Sequence, residues 1–214
     1  MKGLIGKKVG MTSVFLADGT AQCVTVVEVE PNLVFGHRTI ERDGYTALQL
    51  AHGKLTEKGQ RNAIKPHLGQ YKKVNLAPHR RIKEFRASAD ELAAHAIGST
   101  VTVELFKKGD AVDVTATSRG FGFAGVMKRH HMKGAARDSA SSHEHHRHMG
   151  AVGMRKTPGR VFRNKRMPGH MGVEKVTVQN LKVIDVIAAS NLILISGSVP
   201  GHDNAMVTVK PAVK

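Results

Sequence analysis

Short runs of alternating apolar and polar residues dominate both ends of the chain. "VTVELF" (101–106) sets Val101, Val103 and Leu105 on one face and Thr102 and Glu104 on the other. "VDVTA" (112–116), "VTVQNLKVIDVI" (176–187), "LILIS" (192–196) and "MVTVK" (206–210) repeat that pattern. Nearer the start, "VTVVEVE" (24–30), "LVFGHRT" (33–39) and "YTALQLA" (45–51) are parted by Pro31-Asn32 and Asp43-Gly44. A period of two, broken by Gly, Asn and Asp turns, predicts strands. So many short strands at close spacing predict a mainly β fold, a barrel or a sandwich. Only "SADELAAHA" (88–96) has a helical pattern, with Ser88 or Asp90 as its N-cap.

Residues 119–170 follow neither period. They hold eight of the glycines and seven of the thirteen histidines. A stretch this long without regular structure is uncommon in a compact domain and is usually functional. It cannot bury much of itself, so a partner must order it. The expected organisation is a globular body of 1–120 and 172–214, with a basic irregular insert at about 54–86. An extended loop spans 121–171.

Charge sharpens this division. The 214-residue chain carries a formal +16. Residues 54–86 hold ten Lys/Arg against two acids, and 119–170 hold twelve against two; the rest is close to neutral. Charge that served only solubility would not need such segregation. Its usual partner is nucleic acid. A membrane surface fits less well, because no basic amphipathic helix with an apolar face is present. "MKGLIGKKVGMT" lacks the apolar stretch of a secretory signal, and no apolar run is long enough to span a bilayer. The expectation is a soluble, cytoplasmic protein.

Candidate chemistry is sparse. Cys23 is the only cysteine, which excludes an internal disulfide and a multi-cysteine zinc site. Within "CVTVVEV" it reads as a small buried hydrophobe. "GFGFAG" (Gly120, Gly122, Gly125) matches a dinucleotide fingerprint, but "VMKRHHMKGAAR" follows it instead of an amphipathic helix. "HEHHRH" (143–148) approaches the H-E-x-x-H zinc motif, with Arg147 where the second histidine belongs. Metal ligands must be neutral imidazoles or carboxylates, and Arg137, Arg147 and Arg155 oppose a dication. No metal, cofactor or small-molecule substrate is expected, and no nucleophile with a base beside it can be named. RNA remains. Arg offers a planar fork to phosphate, Lys a point charge, histidine a stacking ring. Irregular RNA suits an extended strand of this composition.

Several segments together resemble the universal L-three family of large-subunit ribosomal proteins in its bacterial form. They are "MKGLIGKKVGMTSVF" (1–15), "DGYTALQLA" (43–51), "DVTATSRGFGFAGVMKRH" (113–130), "RKTPGRVFRNKRMPGHMGVEKVTVQNL" (155–181) and "NLILISGSVPG" (191–201). The likeness runs from Lys2 to about Lys210. It implies a β-barrel of the kind shared with translation factors, lying on the subunit exterior. A long loop would reach toward the peptidyl-transferase centre. It also implies binding to large-subunit (23S-type) rRNA and neighbouring ribosomal proteins, an early role in assembly, and no enzymatic activity.

The candidate RNA-binding set is Lys128, Arg129, Lys133, Arg137, His146, Arg147, Arg155, Lys156, Arg160, Arg163, Lys165, Arg166 and His170. All but Lys133, Arg137 and His146 carry over from the family by position. Gly150, Ala151, Val152, Gly153 and Met154 would form the loop tip. The chain departs from the family at several points. "KRHHM" stands where "KRWNF" is common, with His130 at the Trp position. "HMGAVGM" replaces "RPGSIGQ", with Met149 for Pro and Met154 for a Gln that some relatives methylate.

Overall fold

The computed structural model describes residues 3–135 and 140–214. Along the chain lie β1 (Leu4–Phe15), β2 (Ala21–Glu28), β3 (Asn32–Arg38), α1 (Ile40–Asp43), β4 (Ala47–Lys54), α2 (Glu57–Arg61), α3 (Lys65–Lys73), β5 (His79–Arg86), α4 (Ala89–Ala94) and β6 (Thr100–Val101). Then follow β7 (Ala111–Thr117), β8 (Gly122–Ala124), α5 (Val126–His130), β9 (Gly169–Met171), β10 (Lys175–Ile187), β11 (Leu192–Ser196) and β12 (Met206–Pro211). The protein is mainly β, as the alternation predicts. It divides into two compact units, Met1–Thr117 with Lys175–Lys214, and Ser118–Glu174.

In the first unit, six strands hydrogen-bond in the closed order β1-β12-β7-β10-β11-β2. Every pairing is antiparallel. The period of two explains the core: Val112, Val114 and Ala116 of β7 are buried, as are Val207 and Val209 of β12 and Ile193 and Ile195 of β11. A second sheet of order β5-β4-β3-β6 adds Val34, Leu48, Leu50 and Phe85 to the same apolar cluster. Asn32 latches the corner between them. It is fully buried; its Oδ1 accepts the Ile5 N–H at 3.1 Å and its Nδ2 donates to the Ile5 carbonyl at 3.0 Å.

Three local expectations change, and one strand was not expected. "VTVELF" is not a strand beyond Val101; Val103–Leu105 form one 3-10 turn. The Phe106 N–H donates to the Val103 carbonyl at 3.2 Å, and both residues are buried. The spacing of the buried positions thus widens from two to three. The 54–86 insert is not irregular: it contains α2, α3 and β5. A single aromatic anchors α3. Tyr71 is its buried residue, 4.8 Å from the Phe35 ring and 6.1 Å from that of His79. One anchor leaves no helical stripe to read. Strand β1 is also unannounced, because Gly6 and Gly10 interrupt its alternation. Cys23 is exposed, not buried. It pairs with Ser13 in the outer part of the β1–β2 hairpin, past the bulge between Lys8 and Gly10. Around it Met11 and Phe15 are exposed as well.

Helix α4 starts at Ser88 rather than Asp90. The Ser88 side chain accepts the Glu91 N–H and the Glu91 carboxylate accepts the Ser88 N–H, a reciprocal capping box. Among the described residues, no helix is long and apolar enough to cross a membrane.

Candidate nucleic-acid interface

Ser118–Glu174 begins and ends on a hydrogen-bonded stem. The Ser118 N–H donates to the Glu174 carbonyl at 2.8 Å, and the Glu174 N–H to Ser118 Oγ at 3.1 Å. One step further in, β8 pairs with β9 through Gly122↔Met171, Phe123↔His170 and Ala124↔Gly169. Gly172 adopts φ +83, and a Cβ there would collide with the Arg119 carbonyl, so only glycine fits. The sequence marks this stem with "RGFGFAG" and "MPGHMG", whose glycines let two chain segments approach closely.

Beyond the stem, Gly125 precedes α5, whose Val126 is buried. His131 ends the helix in the left-handed region at φ 56. Two side chains of α5 then cross to the returning arm. Arg129 Nη1 donates to the Met167 carbonyl at 2.8 Å, and His130 Nε2 donates to the same oxygen at 3.1 Å. His130 therefore fastens the outgoing segment to the returning one. Arg129, half-buried, holds chain rather than presenting its whole fork to solvent.

The histidine tract folds partly on itself. His145 Nδ1 and His148 Nδ1 lie 3.0 Å apart, so one nitrogen carries the shared proton and the other accepts it. The His143 and His146 rings meet edge-on at 6.2 Å, and His146 Nε2 is buried with no hydrogen-bond partner among the described residues. Among the described residues, no three His, Cys, Asp or Glu side chains group to hold a metal. An open cavity lies between α5 and this tract. Val126, Met149 and Pro168 line it with His131, Lys133 and Arg147.

From Gly150 to Arg166 every residue is exposed. This run contains the candidate tip and Arg155, Lys156, Arg160, Arg163, Lys165 and Arg166. It holds no carboxylate, and none of the six cations has an ion-pair partner among the described residues. Lys128, Lys133 and Arg147 are exposed elsewhere in the unit, with Lys128 Nζ 4.6 Å from the centroid of the Phe121 ring. His170 is exposed and donates from Nε2 to the Gly172 carbonyl at 3.0 Å. Arg137 lies outside the described residues.

Sequence reasoning missed the aromatics. Phe123 is 79% exposed and Phe162 is 56% exposed, with the Arg160 guanidinium 5.9 Å from the Phe162 ring centroid. Exposed rings among cations are stacking platforms for bases. The available signal was their interleaving with charge in "RGFGFAG" and "GRVFRNKR".

The family described as Ribosomal protein L3 matches residues 86–191. The chain is 46% identical over 214 residues to the large ribosomal subunit protein uL3 of Myxococcus xanthus, covering 100% of this chain and 94% of that one. It is 47% identical over 212 residues to the uL3 protein of Methylobacillus flagellatus, covering 99% and 97%. The uL3 protein of Brachyspira pilosicoli is 45% identical, with 100% and 95% covered.

Proposed function

The chain belongs to the ribosomal protein L3 family, and on that premise we propose that it is a structural constituent of the large ribosomal subunit that grips rRNA with its 118–174 unit. The family is a structural component of the ribosome and not an enzyme, so no catalytic residue is assigned. The 118–174 unit reaches toward the peptidyl-transferase centre, with residues 150–154 innermost. The protein joins the subunit early, in the cytoplasm, beside neighbouring large-subunit proteins.

One observation carries this reading: the uninterrupted exposed run of residues 150–166, with six cations and no acid. Like charges packed along one chain repel one another. A polyanion removes that repulsion and releases its own counterions in doing so. Lys128, Lys133, Arg147 and the six cations of the run bind phosphates. Arg129 and His130 hold the two arms in register, and Phe123 and Phe162 offer faces to unpaired bases.

Filter binding of the full chain to a large-subunit rRNA fragment tests the proposal. With about six phosphates neutralised, affinity falls on the order of a thousandfold between roughly 50 and 200 mM salt. A flat salt dependence contradicts it. Sucrose-gradient sedimentation of cell extract separates a resident subunit protein from a free RNA-binding factor: the resident travels with large subunits, the factor stays near the top.

A further inference from the structure

The body carries a second cationic site that the loop does not explain. Thr208 of β12, Thr115 of β7 and Thr177 of β10 are register partners across three neighbouring barrel strands. Thr115 Oγ1 and Thr177 Oγ1 are 2.8 Å apart. Lys83, on the edge strand of the second sheet, reaches over and donates to Thr208 Oγ1 at 2.6 Å. Two further lysines share this outer barrel face. Lys210 is two residues from Thr208, with Nζ 5.6 Å from the Phe85 ring centroid, and Lys175 is two residues from Thr177. We propose that Lys83, Lys175 and Lys210, with the hydroxyls of Thr115 and Thr177, form a binding site on the body for the phosphate backbone of RNA.

Three observations favour this over a solvated surface. First, none of the three lysines has an ion-pair partner among the described residues. The nearest acid by register, Asp113 opposite Lys210, is buried and accepts the Asn180 N–H at 2.9 Å. Second, Lys83 is half-buried. Its burial, and then the positive charges of Lys175 and Lys210, hold its pKa below the ordinary lysine range. An arrangement that disfavours its own charge is relieved by an anion. Third, charge placed to protect a sheet edge would follow one edge strand, whereas these lysines come from β5, β10 and β12, and Lys175 and Lys210 flank Thr115 of β7, a residue paired on both sides. Hydroxyls beside ammonium groups suit phosphate oxygens, which accept from both.

The inference rests on the rRNA reading above, and its test separates the two. The variant Lys175→Gln/Lys210→Gln is compared with the unsubstituted chain in filter binding to the rRNA fragment across a salt series. Lys107→Gln/Lys108→Gln, in the turn that precedes β7, loses the same charge and serves as the control. The expected result is a salt slope shallower by about one unit per lost phosphate contact, about two in all. The control keeps its slope, and Lys175→Arg/Lys210→Arg restores it. Lys83→Met, which keeps the stem length, flattens the slope by about one more unit. Unfolding midpoints show that the variants are folded. Unchanged slopes in the Gln variant, or equal losses in the control, overturn the site while the rRNA reading stands. No binding by the unsubstituted chain overturns both.

Discussion

Arg129 donates from Nη1 to the Met167 carbonyl 2.8 Å away, across 38 positions of sequence. The bond joins the outgoing arm of the basic unit to its returning arm. It turns an arginine that reads as a phosphate ligand into a fastener. Arg129→Ala should therefore loosen the stem, whereas Arg155→Ala, at an exposed position with no partner among the described residues, should not. In hydrogen exchange of the free protein, amides of Gly122–Ala124 and Gly169–Met171 exchange faster in Arg129→Ala and at the original rate in Arg155→Ala. Identical rates in both would deny the bond a structural role.

Asn32 makes a comparable bond in the body. Its side chain occupies both the N–H and the carbonyl of Ile5 and also donates to the Glu30 carbonyl at 2.9 Å. Asn32→Ala leaves buried backbone groups unpaired, at about 2 to 4 kcal/mol. Urea unfolding at neutral pH measures it. A loss well under 1 kcal/mol would mean that water or a shifted strand replaces the side chain.

The tip glycines differ, although both read alike in "MGAVGM". Gly150 sits at φ +75, in the left-handed region. Gly153 does not, and a Cβ there meets the Arg160 carbonyl at an ordinary 3.6 Å. Gly150→Val should reshape the tip of the free protein and shift the amide resonances of residues 151–154. Gly153→Val should leave the free tip and the unfolding midpoint alone, yet impair subunit assembly, because its branched side chain meets packed RNA. Normal growth and normal subunit profiles in a Gly153→Val strain would remove the tip from the ribosome's interior.

What the sequence disclosed followed from how each element is stabilised. The strands from β7 to β12 that build the barrel wall bury one face each, so their alternation is plain. The basic unit has no core to speak of, and its charge density made it legible instead. Two elements were invisible for different reasons: α3 has the single buried anchor Tyr71, and β1 runs through Gly6 and Gly10, which interrupt its alternation. Pattern also cannot tell which cations face outward and which hold backbone. Arg129 and Arg155 look equivalent until the Met167 carbonyl is located. The body's lysine site was hidden for a related reason. Lys83, Lys175 and Lys210 are far apart in sequence; strand register sets Lys175 and Lys210 on either side of β7, and the packing of β5 brings Lys83 to Thr208.

Acid should weaken the body through His52. The side chain is buried, and Nδ1 has no hydrogen-bond partner among the described residues. Burial is the main cause that holds its pKa below the ordinary imidazole value of 6.5. Glu30 and Glu28 oppose that shift and His79 adds to it; Arg81 is its register partner on β5. The unfolded chain therefore takes up this proton at a higher pH than the folded one does. Stability rises with pH wherever the unfolded state binds more protons. The contribution is complete above about pH 6.5 and is lost as pH falls toward the lower folded value. His52→Leu removes both the titration and the unpaired nitrogen while keeping an apolar side chain in the site. Urea midpoints compared between pH 7.5 and 5 should fall less steeply for His52→Leu than for the unsubstituted chain. Parallel declines would assign the acid sensitivity to the other histidines and leave His52 neutral and silent throughout that range.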